Sequence, residues 1–147
     1  MLSWSLAVSP DNEVRVTELY RNDYMTVTDE RGRLTLAWQR EEPDDSHAVA
    51  TAQAVRQALD AHLDAHEGER WSVLVDLVVV RKSFPRSTAS YTAWLLGHRA
   101  RVKGGAFVTK NILLRAGISA AVIVPGLTMK GFSDLGDAHV FLRKIEG

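Results

Sequence analysis

The chain contains no cysteine. That excludes disulfides, thiol chemistry and cysteinyl zinc sites, and it sits comfortably with a reducing compartment. Aromatic residues make up only 7% of the sequence, and the four prolines and ten glycines follow no repeat. No apolar run approaches the ~20 residues that a membrane-spanning helix needs. No charge excess exists either: eighteen Lys and Arg balance eighteen Asp and Glu. A chain without a basic surplus lacks the footprint of a nucleic-acid-binding domain. There is no G-x-G-x-x-G and no phosphate-cradling loop ahead of a Lys-Ser or Lys-Thr pair. The first residues, MLSWSLAVSPDNE, lack a positive n-region and alternate too regularly for a signal peptide. A cytoplasmic protein is the expectation.

What is present is 147 residues that are 46% hydrophobic. That is enough for one domain with its own core, expected to span residues 1–147. The opening part reads as strands. Leu2, Trp4, Leu6 and Val8 alternate with small polar residues, and Pro10 to Asn12 turn the chain. That first strand pairs either within the monomer or between subunits. Val14, Val16 and Leu19 resume a strand. Tyr24 to Thr28 and Arg33 to Gln39 form a hairpin closed around Asp29, Glu30, Arg31 and Gly32, with Leu34, Leu36 and Trp38 on its core face.

Helical spacing follows. Ala48, Ala52, Val55, Leu59 and Leu63 step by three and four, after a cap at Asp45 or Ser46 and before a stop at Gly68. Trp71 to Val80 is apolar almost throughout, as in a strand covered on both faces. Arg81 to Arg86 is a basic loop holding Pro85. A second helix is expected over Ser87 to Val102, with Ser87 as its cap and Gly104–Gly105 as its end. Ala106 to Thr109 reads as a short strand, Ile112 to about Val122 as a helix capped by Asn111, and Leu127 to Phe132 as a last strand. A final helix spans Leu135 to Ile145 after Ser133 or Asp134. The class is α/β: a mixed β-sheet with N-terminal antiparallel hairpins, then βα units, with about four helices.

Three pieces of this chain resemble the SpoIIAA-like branch of the STAS superfamily (anti-sigma-factor antagonists and their relatives). WSVLVDL resembles the central strand with its Asp-Leu ending, GAFVTKNILLRAG the later strand-to-helix unit, and GFSDLGDAHVFL the closing helix. The resemblance covers roughly residues 24 to 145. It implies a regulatory or scaffolding module without catalytic residues or cofactor, binding a protein partner or another copy of itself. In phosphoregulated members an Asp-Ser-Ser-Gly motif follows the central strand. Here that position holds Phe84, Pro85, Arg86 and Ser87. Ser87 is therefore the candidate phosphorylation site, with Ser83 or Thr88 as substitutes. The related SEC14-like domains imply an alternative: a lipid or small anionic ligand in an apolar pocket lined by Trp94, Phe107, Val122 and Val124.

Candidate chemistry is sparse. His62 and His66 lie one helical turn apart, a metal-gripping spacing, but no third ligand is indicated. No metal is expected, and a helix C-terminus explains both residues. His98 falls on the inner stripe of the second helix with no nucleophile and orienting acid placed around it. His139 is expected to be exposed. Asp76 is the one acid in the apolar strand and reads as architectural.

Charge distribution carries the most information. Residues 77–133 contain no Asp or Glu and nine basic residues. Arg81, Lys82 and Arg86 cluster at the carboxyl end of the central strand, beside a helix start, where anions are attracted twice. The partner- or anion-binding expectation therefore rests on Arg81, Lys82, Arg86, Ser87 and Thr88. Arg99, Arg101 and Lys103 complement the negative end of the second helix.

Overall fold

The computed structural model of the chain describes residues 16–147. The expected strand over Leu2 to Val8 and the turn at Pro10 to Asn12 lie outside the described residues. Six strands form one sheet in sequence order: β1 (Val16–Arg21), β2 (Met25–Glu30), β3 (Arg33–Trp38), β4 (Trp71–Asp76), β5 (Val102–Val108) and β6 (Met129–Phe132). The first three pair antiparallel and the rest parallel. The helices are α1 (Asp45–Ala65), α2 (Pro85–Gly97), α3 (Ile112–Ala121) and α4 (Leu135–Glu146). The expected α/β class, with its mixed sheet and four helices, is the observed one.

The hairpin between β2 and β3 closes on two residues, Arg31 (φ 52°) and Gly32 (φ 88°). Positive φ at both positions is the requirement of a type I′ turn. Asp29 and Glu30 therefore belong to the strand, and Asp29 Oδ1 accepts the Gly32 N–H at 2.9 Å. Leu34 and Leu36 are buried and Trp38 half-buried, on one face as expected.

Three parallel crossovers of one hand, each stepping one strand in the same direction, deliver their helices to one face of the sheet. Accordingly α1, α2 and α3 cover one side, and α4 covers the other. Period-two alternation in β4 feeds both layers. Trp71 and Val73 pack with Val55, Leu59, Leu63 and Trp94, whereas Leu74 packs with Ala106, Val108, Ala138 and Leu142. Each such buried aliphatic contributes about 1.5–3 kcal/mol.

Four boundaries differ from expectation. The N-cap of α1 is Asp44, whose side chain accepts the His47 N–H at 2.8 Å. Strand β4 stops at Asp76, because the Asp76 carboxylate takes the Val78 N–H at 3.1 Å and Leu77 to Val80 turn. Helix α2 begins at Pro85, not Ser87. Proline suits a first helical position, since its ring presets φ and no N–H is needed there. It ends at Gly97, followed by a short 3-10 helix (Arg99–Arg101). Gly104 and Gly105 then lie inside β5, where the register shifts between Trp71 and Ser72. A Cβ on Gly105 would stand 2.6 Å from the Val73 carbonyl oxygen. These glycines permit close strand packing and do not stop a helix.

Candidate functional site

The carboxyl ends of β4 and β5 lie side by side, with the Leu77 N–H donating to the Val108 carbonyl at 2.8 Å. The basic loop leaves from this edge and leads into α2. The Arg81 backbone N–H donates to Glu41. Arg86 pairs with Asp45 at 2.8 Å, tying the start of α2 to the start of α1. Both partners are well exposed, so the pair contributes at most about 1 kcal/mol. Lys82 is exposed and makes no ion pair among the described residues.

Ser87 is the third residue of α2 and half-buried, as is Thr88. Ser87 therefore does not cap the helix; Phe84 occupies the cap position without a side-chain hydrogen bond. Lys82, Ser83, Ser87 and Thr88 line an apolar cavity between the sheet and α2. Ser83 and Thr88 also border an outer groove between α2 and α3. The loop thus separates an inner cavity from an outer groove. Trp94, Phe107 and Val122 line the inner cavity as the pocket reading expects; Val124 is buried in the core beside it.

The groove has an apolar rim. Leu96 is 47% exposed and Ile123 74%, and nearby on α3 Ile112 and Leu113 are 70% and 83% exposed. Helix α3 buries only Leu114 fully.

The nine cations of the acid-free stretch do not form one patch. Arg81, Lys82 and Arg86 lie at the carboxyl edge of the sheet, with Lys110 following β5. Arg101 lies at the opposite edge. Its guanidinium donates to the carbonyls of Leu63, His66 and Glu69 at 3.2, 2.8 and 2.8 Å, and it stands over the Trp71 ring. It serves the C-terminus of α1, not that of α2. Lys130 stands over Phe132 and Phe141.

Four of the five histidines are engaged in structure, whereas His47 Nδ1 is buried without a hydrogen-bond partner among the described residues. His62 Nε2 is 2.7 Å from Asp29 Oδ2, and His66 Nδ1 is 2.9 Å from the His62 carbonyl. His98 stacks on Trp94 and reaches both the Trp94 carbonyl (2.8 Å) and Asp60 (3.2 Å). Ser90, also on α2, accepts from Arg56 at 3.1 Å. His139 is half-buried rather than exposed, with Nδ1 2.7 Å from Arg33 Nη1.

Two site features carry no signal in the sequence. Glu42, one acid in an acidic stretch, is 5% exposed. Tyr91 on α2 brings its hydroxyl to the same buried corner, where Trp38 meets its ring edge-on.

A six-stranded mixed sheet with three helices on one face and a closing helix on the other defines an α/β domain with a SpoIIAA-like fold. No family model matches the chain, and no curated protein matches it. Among solved structures it is similar to an uncharacterized protein of the DUF3478 family with a SpoIIAA-like fold from Shewanella loihica PV-4. Identity is 16% and the TM-score 0.50, over 88% of this chain and 93% of that one. At that identity the likeness shows the fold. Among the described residues no helix is long and apolar enough to cross a membrane.

Proposed function

We propose that the chain is a cytoplasmic, non-catalytic regulatory module, acting as one domain, that binds a protein partner at the basic loop and the adjoining α2–α3 face. The observation that carries this reading is the exposed apolar rim of Leu96 and Ile123, built from a stretch without a single carboxylate. Such a rim beside Arg81, Lys82 and Arg86 suits an amphipathic helix with acidic flanks, the helix-in-groove mode. Charge complementarity would speed encounter and set orientation. Ser87 is the hydroxyl at which a phosphate would act: it lies in the first turn of α2, on the wall of the cavity beside Thr88, which also borders the groove, so that added charge there changes the surface presented.

The non-catalytic part is supported by His62, His66, His98 and Asp76, whose polar atoms serve helix ends, an ion pair and a turn. The lipid form of the alternative has less support. The inner cavity measures about 130 Å³, against the ~300 Å³ or more of typical ligand pockets.

The test is native mass spectrometry of the protein drawn gently, at low salt, from its own cells. A polypeptide at fixed stoichiometry is expected, lost when Arg81, Lys82 and Arg86 are changed to Glu and also in Leu96→Asp. Circular dichroism melts should show the variants folded. A complex that survives both changes, or no bound polypeptide, overturns the reading; a second copy of the chain would replace the foreign partner by self-association.

A further inference from the structure

The inner cavity is apolar along most of its wall, where Leu36, Val75, Phe107 and Met129 face it. Glu42 and Tyr91 also line it. The Tyr91 hydroxyl is buried and has no hydrogen-bond partner among the described residues. Burial first, then the nearby Glu42 and Tyr20, hold its phenol far above the ordinary range, so it keeps its proton and remains a donor. The Glu42 carboxyl is nearly as enclosed. Its Oε1 lies 3.4 Å from Trp38 Nε1 and its Oε2 3.6 Å from His47 Nδ1. Both distances exceed those of good hydrogen bonds, so acceptor capacity remains.

A donor without an acceptor beside an under-used acceptor defines a complementary group. A single hydroxyl can accept from Tyr91 and donate to Glu42 at once. A carboxylate guest would meet the Glu42 carboxyl, and an aliphatic ammonium would offer Tyr91 no acceptor. Size narrows the class further. A dry apolar cavity of about 150 Å³ takes benzene, and this one is about 130 Å³.

We propose that this cavity binds a small, uncharged, largely apolar molecule carrying one hydroxyl group, of the size of phenol or a short-chain alcohol. The hydroxyl sits between Tyr91 and Glu42, and the apolar part lies against Val75 and Met129. The cavity shares Ser83 and Thr88 with the outer groove, but its polar pair, Tyr91 and Glu42, lines the cavity alone.

Four single-ring probes test it on the intact chain: phenol and its isostere toluene, and the charged benzoate and benzylamine, titrated by NMR. Phenol should saturate with shifts at the methyls of Val75 and Met129 but not of Leu113. It should bind about tenfold or more tightly than toluene, because toluene leaves buried polar atoms unpaired. In Tyr91→Phe the phenol preference should shrink toward the toluene level. The wild-type map and the probe ranking decide the matter even where that variant folds poorly. No saturable binding, equal affinity for phenol and toluene, or tighter binding of benzoate or benzylamine overturns the proposal.

Discussion

Asp29 on β2 and His62 on α1 meet at 2.7 Å, between Asp29 Oδ2 and His62 Nε2, 33 residues apart in the chain. The same oxygen accepts the Trp71 indole N–H at 2.9 Å, and Oδ1 accepts the Gly32 N–H. A carboxylate only accepts, so His62 carries its proton on Nε2. One acid therefore joins the hairpin turn, the last helical turn of α1 and the first residue of β4.

This arrangement sets a pH dependence. Burial pushes the Asp29 carboxyl up, but the hydrogen bonds from His62, Trp71 and Gly32 outweigh it and hold the group below its ordinary value. A depressed folded-state pKa contributes stability above the unfolded value, near 4, and loses it as pH falls through the folded value. Asp29→Asn should cost about 1–3 kcal/mol at neutral pH. The gap between wild type and variant should narrow in melts taken below about pH 4. A gap unchanged between neutral pH and pH 3 would contradict this account.

Glu146, near the chain's end, closes the other layer. Its two oxygens accept from Arg33 Nε and Nη2 at 2.8 Å each, and Oε2 also accepts from Ser72 Oγ at 2.5 Å. Burial raises the carboxyl, while Arg33, Ser72 and the charge of Lys103 lower it by more, so it lies below its ordinary value. Glu146→Gln keeps the shape and removes the charge. It should lower stability by about 1–3 kcal/mol and loosen α4 first, seen as faster amide exchange over Ala138 to Ile145. Uniform exchange changes across the sheet would refute the local role.

The hairpin, α1 and β4 were legible because their signals are local. Alternation brackets Arg31–Gly32, the alanine stripe of α1 repeats every turn, and β4 is apolar on both faces. The end of α2 was not legible, because Gly104 and Gly105 look like a helix stop in sequence. Gly105 answers the approach of Val73 and Met129, and Gly104 a φ of 140° beside Thr128 and Ile145, neither of which a local pattern encodes. The basic loop was legible as a cluster. The division of the nine cations between opposite edges was not, since it depends on where Arg101 finds the carbonyls of α1. Glu42 stands among acidic residues with Pro43 beside it, and only tertiary packing encloses it.

The glycine argument makes its own prediction. Gly105→Ala would place a methyl 2.6 Å from the Val73 carbonyl oxygen and 2.7 Å from the Met129 sulfur. Met129 can move, but the β4 backbone cannot without breaking its ladder. The substitution should cost about 1–3 kcal/mol or prevent folding. Gly117→Ala, where nothing lies within 4 Å of the added carbon, should be neutral or slightly stabilising in the same melts. Equal effects at the two positions would remove the packing explanation for the glycines of β5.

Arg101 supplies the remaining test. Its guanidinium fork reaches three carbonyls at and beyond the end of α1 while lying 5.2 Å from the Trp71 ring centre. Those carbonyls belong to a helix end whose cap, His66, is not glycine, so the side chain does work that a left-handed cap would otherwise do. Arg101→Ala should cost about 1–3 kcal/mol and raise amide exchange in the last turn of α1. Arg101→Lys should recover little, because a single ammonium cannot match the planar fork across three acceptors. Arg99→Ala, two residues away and exposed, should change the melt by less than about 0.5 kcal/mol. If Lys restores full stability, the attraction is one of charge alone, and the basic stretch owes its place at this edge to electrostatics rather than to hydrogen-bond geometry.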